Sequence, residues 1–139
     1  MTHKIIGKYI KELKFNIPNA KTFFLLGKDI ANYKIKIDIK SLQVKQNIIE
    51  VLTSLKLTPV KDDFEKINTE IVFSTIVEFN DKKLAKEEME KTILVDIPTK
   101  IYPEIRQIFI FLFENSGFKD IKINENVDFE KLYKMRKFQ

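Results

Sequence analysis

No cysteine occurs in this chain, histidine occurs once, arginine twice, glycine three times and proline four times. Without cysteine there is no disulfide framework, no thiolate nucleophile and no cysteine-based zinc site. The one histidine, His3, cannot build a histidine triad or a multi-histidine metal centre. Three isolated glycines cannot form a phosphate-cradling loop, and so few glycines and prolines leave little room for low-complexity linkers. No run approaches the ~18 apolar residues that a membrane span needs. The first eight residues, Met-Thr-His-Lys-Ile-Ile-Gly-Lys, lack the apolar core of a signal peptide. The expectation is a cytoplasmic protein with no integral membrane segment, no metal and no cofactor, and no enzymatic activity.

What is present is a globular composition. The 44% hydrophobic content, with twelve Phe, exceeds what a disordered chain carries. A length of 139 residues suits one domain, residues 1–139, able to bury roughly two thirds of its unfolded surface. The formal charge of +5 is unevenly spread: residues 1–60 carry eleven lysines against four carboxylates, whereas residues 61–139 carry fourteen basic and sixteen acidic side chains. A basic half suits nucleic acid or an acidic partner. Base reading and bidentate phosphate clamping lean on arginine, however, and lysine outnumbers arginine 23 to 2.

Period-two alternation predicts the strands. From Lys8 to Ile17, Tyr9, Leu13, Phe15 and Ile17 are assigned to one face, with Lys8, Glu12, Lys14 and Asn16 on the other. Pro18-Asn19-Ala20 breaks this strand. The following Phe23-Phe24-Leu25-Leu26 is too short for a clear helix and reads as a packed connection or an apolar binding wall. Lys34 to Lys40 alternates cleanly around Ile35, Ile37 and Ile39, and Ile48–Pro59 and Ile67–Phe79 supply two more strands. Lys45-Gln46-Asn47 is a turn, and Lys61 to Lys66 a hairpin connection. Its carboxylates, Asp62, Asp63 and Glu65, lack the glycine turn of a calcium loop. Short polar joints imply an antiparallel meander, with the first strand brought alongside through a crossover over residues 18–32. The fold class is α+β: a four-stranded antiparallel sheet with a crossover after the first strand and helices on one face.

Lys82 to Thr92 suits a short charged helix, read as ending before Pro98. Pro103 then sits where a first helical turn tolerates proline. Ile105, Ile108, Phe109 and Leu112 follow at helical spacing, and Gly117 stands where a left-handed residue stops a helix. The run Ile108-Phe109-Ile110-Phe111-Leu112-Phe113 also fits a buried strand by propensity, and the flanking proline and glycine favour the helix. Such a helix is apolar on nearly every side, so both its own sheet and a second surface must cover it. Phe118 to Asn126 reads as irregular or extended, and Asp128 as the cap of a last helix through Phe129, Leu132, Tyr133 and Arg136.

Taken in order, these features resemble the SecB family of bacterial protein-export chaperones. The resemblance rests on Pro18-Asn19-Ala20 with Phe23 after it, the alternation of Ile35, Ile37 and Ile39, and Ile97-Pro98-Thr99-Lys100-Ile101-Tyr102-Pro103 with its two prolines. It continues through Arg106, Gly117-Phe118 and Val127-Asp128-Phe129-Glu130-Lys131-Leu132-Tyr133, covering nearly the whole chain. It implies a homotetramer, a dimer of dimers with sheets outside and helices between. The implied activity is ATP-independent holding of unfolded secretory preproteins for the SecA motor. Phe23, Phe24, Leu25, Leu26, Ile35, Ile37 and Ile39 are then the expected client-binding residues, although simple core packing accounts for the isoleucines equally well. Glu12, Asn16 and Glu70 match the family's SecA-binding positions, with Asn16 replacing a carboxylate. Ile108, Phe111 and Leu112 are the expected oligomer interface. Two other readings stand beside this one: a nucleic-acid-binding module using the basic half with Tyr9 and Phe15, and a SecB-like chaperone dedicated to one partner.

Overall fold

The alternation of isoleucine and lysine ahead of residue 46 dictates a strand with one dry and one wet face, and this strand forms an edge of the sheet. In the computed structural model, which describes residues 3–29, 33–59, 67–80, 85–118, 121 and 123–137, the strands are β1 (His3–Asn16), β2 (Tyr33–Lys45), β3 (Ile48–Pro59) and β4 (Asn68–Phe79). The helices are α1 (Ala20–Asp29), α2 (Lys86–Lys91), α3 (Ile97–Glu114) and α4 (Phe129–Lys137). The strands form one antiparallel sheet in the order β1-β4-β3-β2. The crossover therefore carries the chain from one edge of the sheet to the other. The α+β expectation and its four antiparallel strands hold; the connection predicted at Lys61 to Lys66 lies outside the described residues.

Local chemistry sets the element ends. Gln46-Asn47 closes the β2–β3 hairpin with Asn47 at a φ of 68°, a left-handed conformation that asparagine tolerates. Asn19 caps α1: its side-chain oxygen accepts the Thr22 N–H at 2.8 Å. Residues 20–29 are thus helical, not merely a packed connection, because the proline and asparagine before them supply a break and a cap. Asp128 does the same for α4, accepting the Lys131 N–H at 3.0 Å.

Three expectations need correction. Pro98 does not end the helix that precedes it. The backbone stays helical from Lys86 to Glu114, with a π-helical turn over Thr92–Asp96 joining α2 to α3. The Ile97 N–H reaches back five residues to the Thr92 carbonyl, and this wider turn gives the Pro98 ring room beside the carbonyl four residues earlier. Pro103 lies inside α3 rather than in its first turn. In β1, pairing shifts between Ile5 and Gly7 and between Ile10 and Glu12 each insert an extra residue. An unbroken alternation from Lys8 to Ile17 is therefore wrong. Lys8 opposes Thr75 on the helix-covered face, while Tyr9 opposes Ser74 on the outer face with Glu12 and Lys14.

The core lies between the inner face of β3 and β4 and a ridge on α3. Ile97, Ile101, Ile105, Phe109 and Phe113 recur every four residues and are all fully buried, facing Val51, Leu55, Ile71 and Val77. Burial of such a side chain is worth about 1.5–3 kcal/mol, so this ridge is the main weld of helix to sheet. Tyr102 and Arg106 then tie the C-terminal segment down. The Tyr102 hydroxyl donates to the Asn124 carbonyl at 2.6 Å and Arg106 Nε to the Ile123 carbonyl at 3.0 Å; burial pushes the Tyr102 phenol up from its ordinary pKa.

At the end of α3, Gly117 has a φ of 95°. The Phe118 N–H bonds the Phe113 carbonyl at 2.9 Å and the Gly117 N–H the Glu114 carbonyl at 3.3 Å, the paired closure of a left-handed helix stop. The Phe113 and Phe118 rings touch across it at a 5.8 Å centroid distance, and Phe23 of α1 stacks on Phe118 at 4.8 Å. A Cβ at position 117 would stand 3.1 Å from the Phe23 ring. Gly117→Ala is therefore expected to lower stability by about 1–2 kcal/mol and to loosen α1. Urea unfolding followed by circular dichroism measures the first and amide exchange over residues 20–29 the second. An unchanged midpoint contradicts this account of the helix stop.

Candidate functional site

Two apolar surfaces remain open once the core has formed. The first is a groove along β2. Ile35, Ile37 and Ile39 oppose Leu57, Leu55 and Thr53 and share the inner face, half-buried against the core. Ile37 and Ile39 form one wall of the groove, the π-helical turn contributes Ile93 and Leu94, and α4 contributes Leu132 and Tyr133. Its larger part encloses about 580 Å³ and a smaller compartment about 140 Å³. Polar side chains interrupt it: Lys40 and Ser41 of β2 and Glu90 of α2 line the larger part and Asp38 the smaller, and the Tyr133 hydroxyl is buried with no hydrogen-bond partner among the described residues. The arrangement offers a largely apolar surface with few directional hydrogen-bonding groups, which suits apolar side chains in many sequences.

The second surface is the flank of α3 beside β1. Phe111 is 63% exposed, and with Ile108, Gln107, Glu104 and Phe73 it lines a shallow depression of about 420 Å³. Ile10 and Leu13 of β1 face the same way, since they oppose the inner-face residues Phe73 and Ile71, and both are exposed. Leu112 is half-buried against the core. The Lys8–Glu104 ion pair at 2.8 Å closes one end of this flank. A helix expected to need cover on nearly every side has it from the sheet and from the C-terminal segment over Tyr102 and Arg106; Phe111 is left largely bare in the single chain.

The crossover residues are not part of the β2 groove. Phe24 is 67% exposed, Phe23 is held between Phe24 and Phe118, and Leu25 is half-buried. The Leu26 side chain lies outside the described residues. Among the described residues the groove lining draws nothing from α1, so Phe23, Phe24 and Leu25 stand apart from Ile37 and Ile39. Sequence reading missed Ile93, Leu94, Leu132 and Tyr133 as groove residues. The i, i+3, i+4 spacing of Phe129, Leu132 and Tyr133 was the available signal for α4, whereas the widened turn at Leu94 had no signal beyond Pro98.

Glu12, Asn16 and Glu70 do share the outer sheet face, opposite Val72, Asn68 and Lys14 respectively. Their charge is locally compensated: Lys14 pairs with Glu12 at 3.0 Å, and this bond, followed by the charges of Glu12 and Glu70, holds the Lys14 ammonium above its ordinary pKa. Nearer the centre of that face, the Glu50 carboxylate accepts hydrogen bonds from the Ser74 hydroxyl at 2.6 Å and from the Tyr9 hydroxyl, and these hold its carboxyl below the usual range. Among the described residues no group of His, Cys, Asp and Glu is placed to hold a metal ion, and no helix is long and apolar enough to cross a membrane.

Comparison with known proteins places these features in a family context. A family model described as SecB, preprotein translocase subunit SecB, matches residues 1–139. The chain is 41% identical over 134 residues to a putative protein-export protein SecB of Pelagibacter ubique, covering 96% of each chain. It is 25% identical over 132 residues to the protein-export protein SecB of Rhodospirillum rubrum, covering 95% of this chain and 80% of that one. Its fold is similar to that of a Mycobacterium tuberculosis SecB-like chaperone solved with a ChAD peptide from the HigA1 antitoxin. That match has a TM-score of 0.68 at 11% identity and covers 91% of this chain and 88% of the other.

The depressed Glu50 carboxyl adds stability that is fully present above its unfolded-state pKa and lost as pH falls through its folded value. Tyr9→Phe removes one of the two donors. Its expected effect is a rise of the Glu50 pKa toward the ordinary value, read by carboxyl-carbon NMR titration, with a smaller loss of stability on acidification, complete at a higher pH. A Glu50 titration identical to that of the unmodified protein contradicts the assigned hydrogen bond.

Proposed function

Because the chain belongs to the SecB family of protein-export chaperones, we propose that it acts as an ATP-independent holdase, a single domain over residues 1–139. It captures unfolded secretory preproteins in the cytoplasm and passes them to the SecA motor. The observation that carries this reading is the open groove between β2, the π-helical turn and α4, whose walls are built mainly from Ile37, Ile39, Ile93, Leu94, Leu132 and Tyr133. Such a groove takes apolar side chains without reading their order. An unfolded client is ordered on binding, which offsets much of the gain, so each contact is weak. Several grooves on one assembly raise the effective concentration and make capture useful without sequence specificity.

The exposed α3 flank supplies the assembly. Ile108, Phe111 and Leu112, extended by Ile10 and Leu13, form the apolar contact between subunits of a homotetramer in this reading. Glu12, Asn16 and Glu70, together on the outer face, form the SecA contact, weakened by the Lys14 pairing. Phe24, projecting from α1, adds a separate client contact. The family's chemistry is binding, and no catalytic step belongs to this mechanism.

A nucleic-acid module would need aromatic platforms on one basic face. Phe15 instead packs edge-on against Phe113 at 5.2 Å on the inner face, while the Tyr9 hydroxyl is engaged by Glu50 on the outer one. A chaperone dedicated to one partner differs from a general holdase only in repertoire. The Mycobacterium tuberculosis chaperone of similar fold was solved with an antitoxin peptide, so competition among unrelated unfolded precursors decides between the two.

Suppression of aggregation of a chemically unfolded precursor, together with native mass measurement, tests the proposal. The protein is expected to form a stable oligomer and to suppress aggregation in the absence of nucleotide, with little change on added salt. A monomer without effect on aggregation overturns the reading, and steep loss of binding with rising salt would favour a polyanion partner. Leu132→Glu, at an exposed groove position, is expected to weaken client capture about tenfold at unchanged mass. Phe111→Asp is expected to lower the mass before it changes any single groove; unchanged mass in that variant contradicts the assigned interface.

A further inference from the structure

The outer sheet face divides into two halves with different charge. Over β1 and β4, carboxylates and lysines are matched: Lys4 pairs with Glu78 at 3.5 Å and Lys14 with Glu12 at 3.0 Å. Over β2 and β3 they are not. Lys34, Lys36, Lys40, Lys45 and Lys56 occupy that face by register, against the carboxylates Asp38 and Glu50. Glu50 is already bonded to Ser74 and Tyr9. All five lysines are exposed, and among the described residues none has an ion-pair partner. Lys36 stands directly opposite Lys56, a like-charge cross-strand pair that works against the sheet and contributes nothing to the fold.

Beside this basic field, toward the β2–β3 hairpin, Leu42 is 51% exposed on the same face and Val44, at the bulge next to Lys45, is 53% exposed. Neither packs into the core. We propose that the β2–β3 half of the outer face docks on an anionic lipid surface, with the lysines meeting headgroup phosphates and the Leu42–Val44 corner entering the headgroup layer. The composition favours a bilayer over a nucleic acid. Lysine is a flexible point charge suited to a diffuse anionic plane, Arg106 is engaged with the Ile123 carbonyl on the helix side, and exposed aliphatic side chains gain from a membrane interface but offer no base-stacking platform. This surface lies on the opposite side of β2 from the client groove, with Lys40 and Leu42 on the rim that the two share. It is also distinct from the Glu12, Asn16 and Glu70 positions on β1 and β4.

Cosedimentation of the full chain with vesicles tests the inference. Binding to phosphatidylcholine vesicles containing phosphatidylglycerol is expected, with little binding to phosphatidylcholine alone and release by salt. A lysine near such a surface strengthens binding about fivefold, so Lys36→Gln with Lys45→Gln should weaken it roughly 25-fold. Val44→Ser should weaken it further at fixed salt, while Lys131→Gln with Lys134→Gln on α4 changes it little. Circular dichroism and unaltered aggregation suppression show that each variant remains folded and that the client groove is intact. Equal binding to neutral vesicles, no loss in the Lys36 and Lys45 variant, or complete displacement by a single-stranded oligonucleotide at equal phosphate concentration overturns the proposal.

Discussion

Everything in this molecule depends on one packing arrangement: the ridge of Ile97, Ile101, Ile105, Phe109 and Phe113, spaced four residues apart, lying along the inner face of β3 and β4. Residues four apart stack along one side of a helix, so the ridge is straight and narrow. It covers the centre of the sheet and leaves both flanks. Toward β1 the uncovered strip exposes Ile10, Leu13 and Phe111; toward β2 it leaves Ile37 and Ile39 to be half-covered by the π-helical turn and α4. A wider apolar stripe would have closed both surfaces.

The prolines matter to that arrangement through geometry. Pro98 is buried in the first turn of α3, and the π-helical turn before it swings Ile93 and Leu94 over the edge of β2. An ordinary α-helical turn would place those side chains in a different rotation about the axis, because a π turn shifts everything before it by one residue. At the other end, the glycine stop lets the chain reverse tightly enough for Phe118 to meet both Phe113 and Phe23, fixing α1 against the end of α3. The crossover thus begins at a defined place, from which the chain reaches β2 at the far edge.

Much of the fold is legible in the residues. The alternation around Ile35, Ile37 and Ile39, the Gln46-Asn47 turn, the Gly117 stop and the Asp128 cap each follow from local chemistry and stand where that chemistry puts them. Three features were not legible for physical reasons. A β-bulge adds one residue without changing composition, so the inverted face at Tyr9 leaves no trace in the alternation of β1. A π-helical turn differs from an α-helical one by a single hydrogen-bond register, which makes Pro98 look like a terminator. The separation of α1 from the β2 groove depends on the path of the crossover, a tertiary property that no window of residues encodes. For the site, Ile37 and Ile39 were recognisable as dry-face residues, but their partners on α4 and in the π-helical turn come from more than fifty residues away.

The central claim is that the groove between β2, the π-helical turn and α4 holds unfolded client. Methyl-detected NMR of the protein with and without an unfolded precursor examines it residue by residue. The account predicts shifts and broadening at Ile37, Ile39, Leu94 and Leu132, with the buried methyls of Ile101 and Ile105 unmoved. Perturbation confined to the outer sheet face, with those four groove residues unchanged while client is bound, would contradict it.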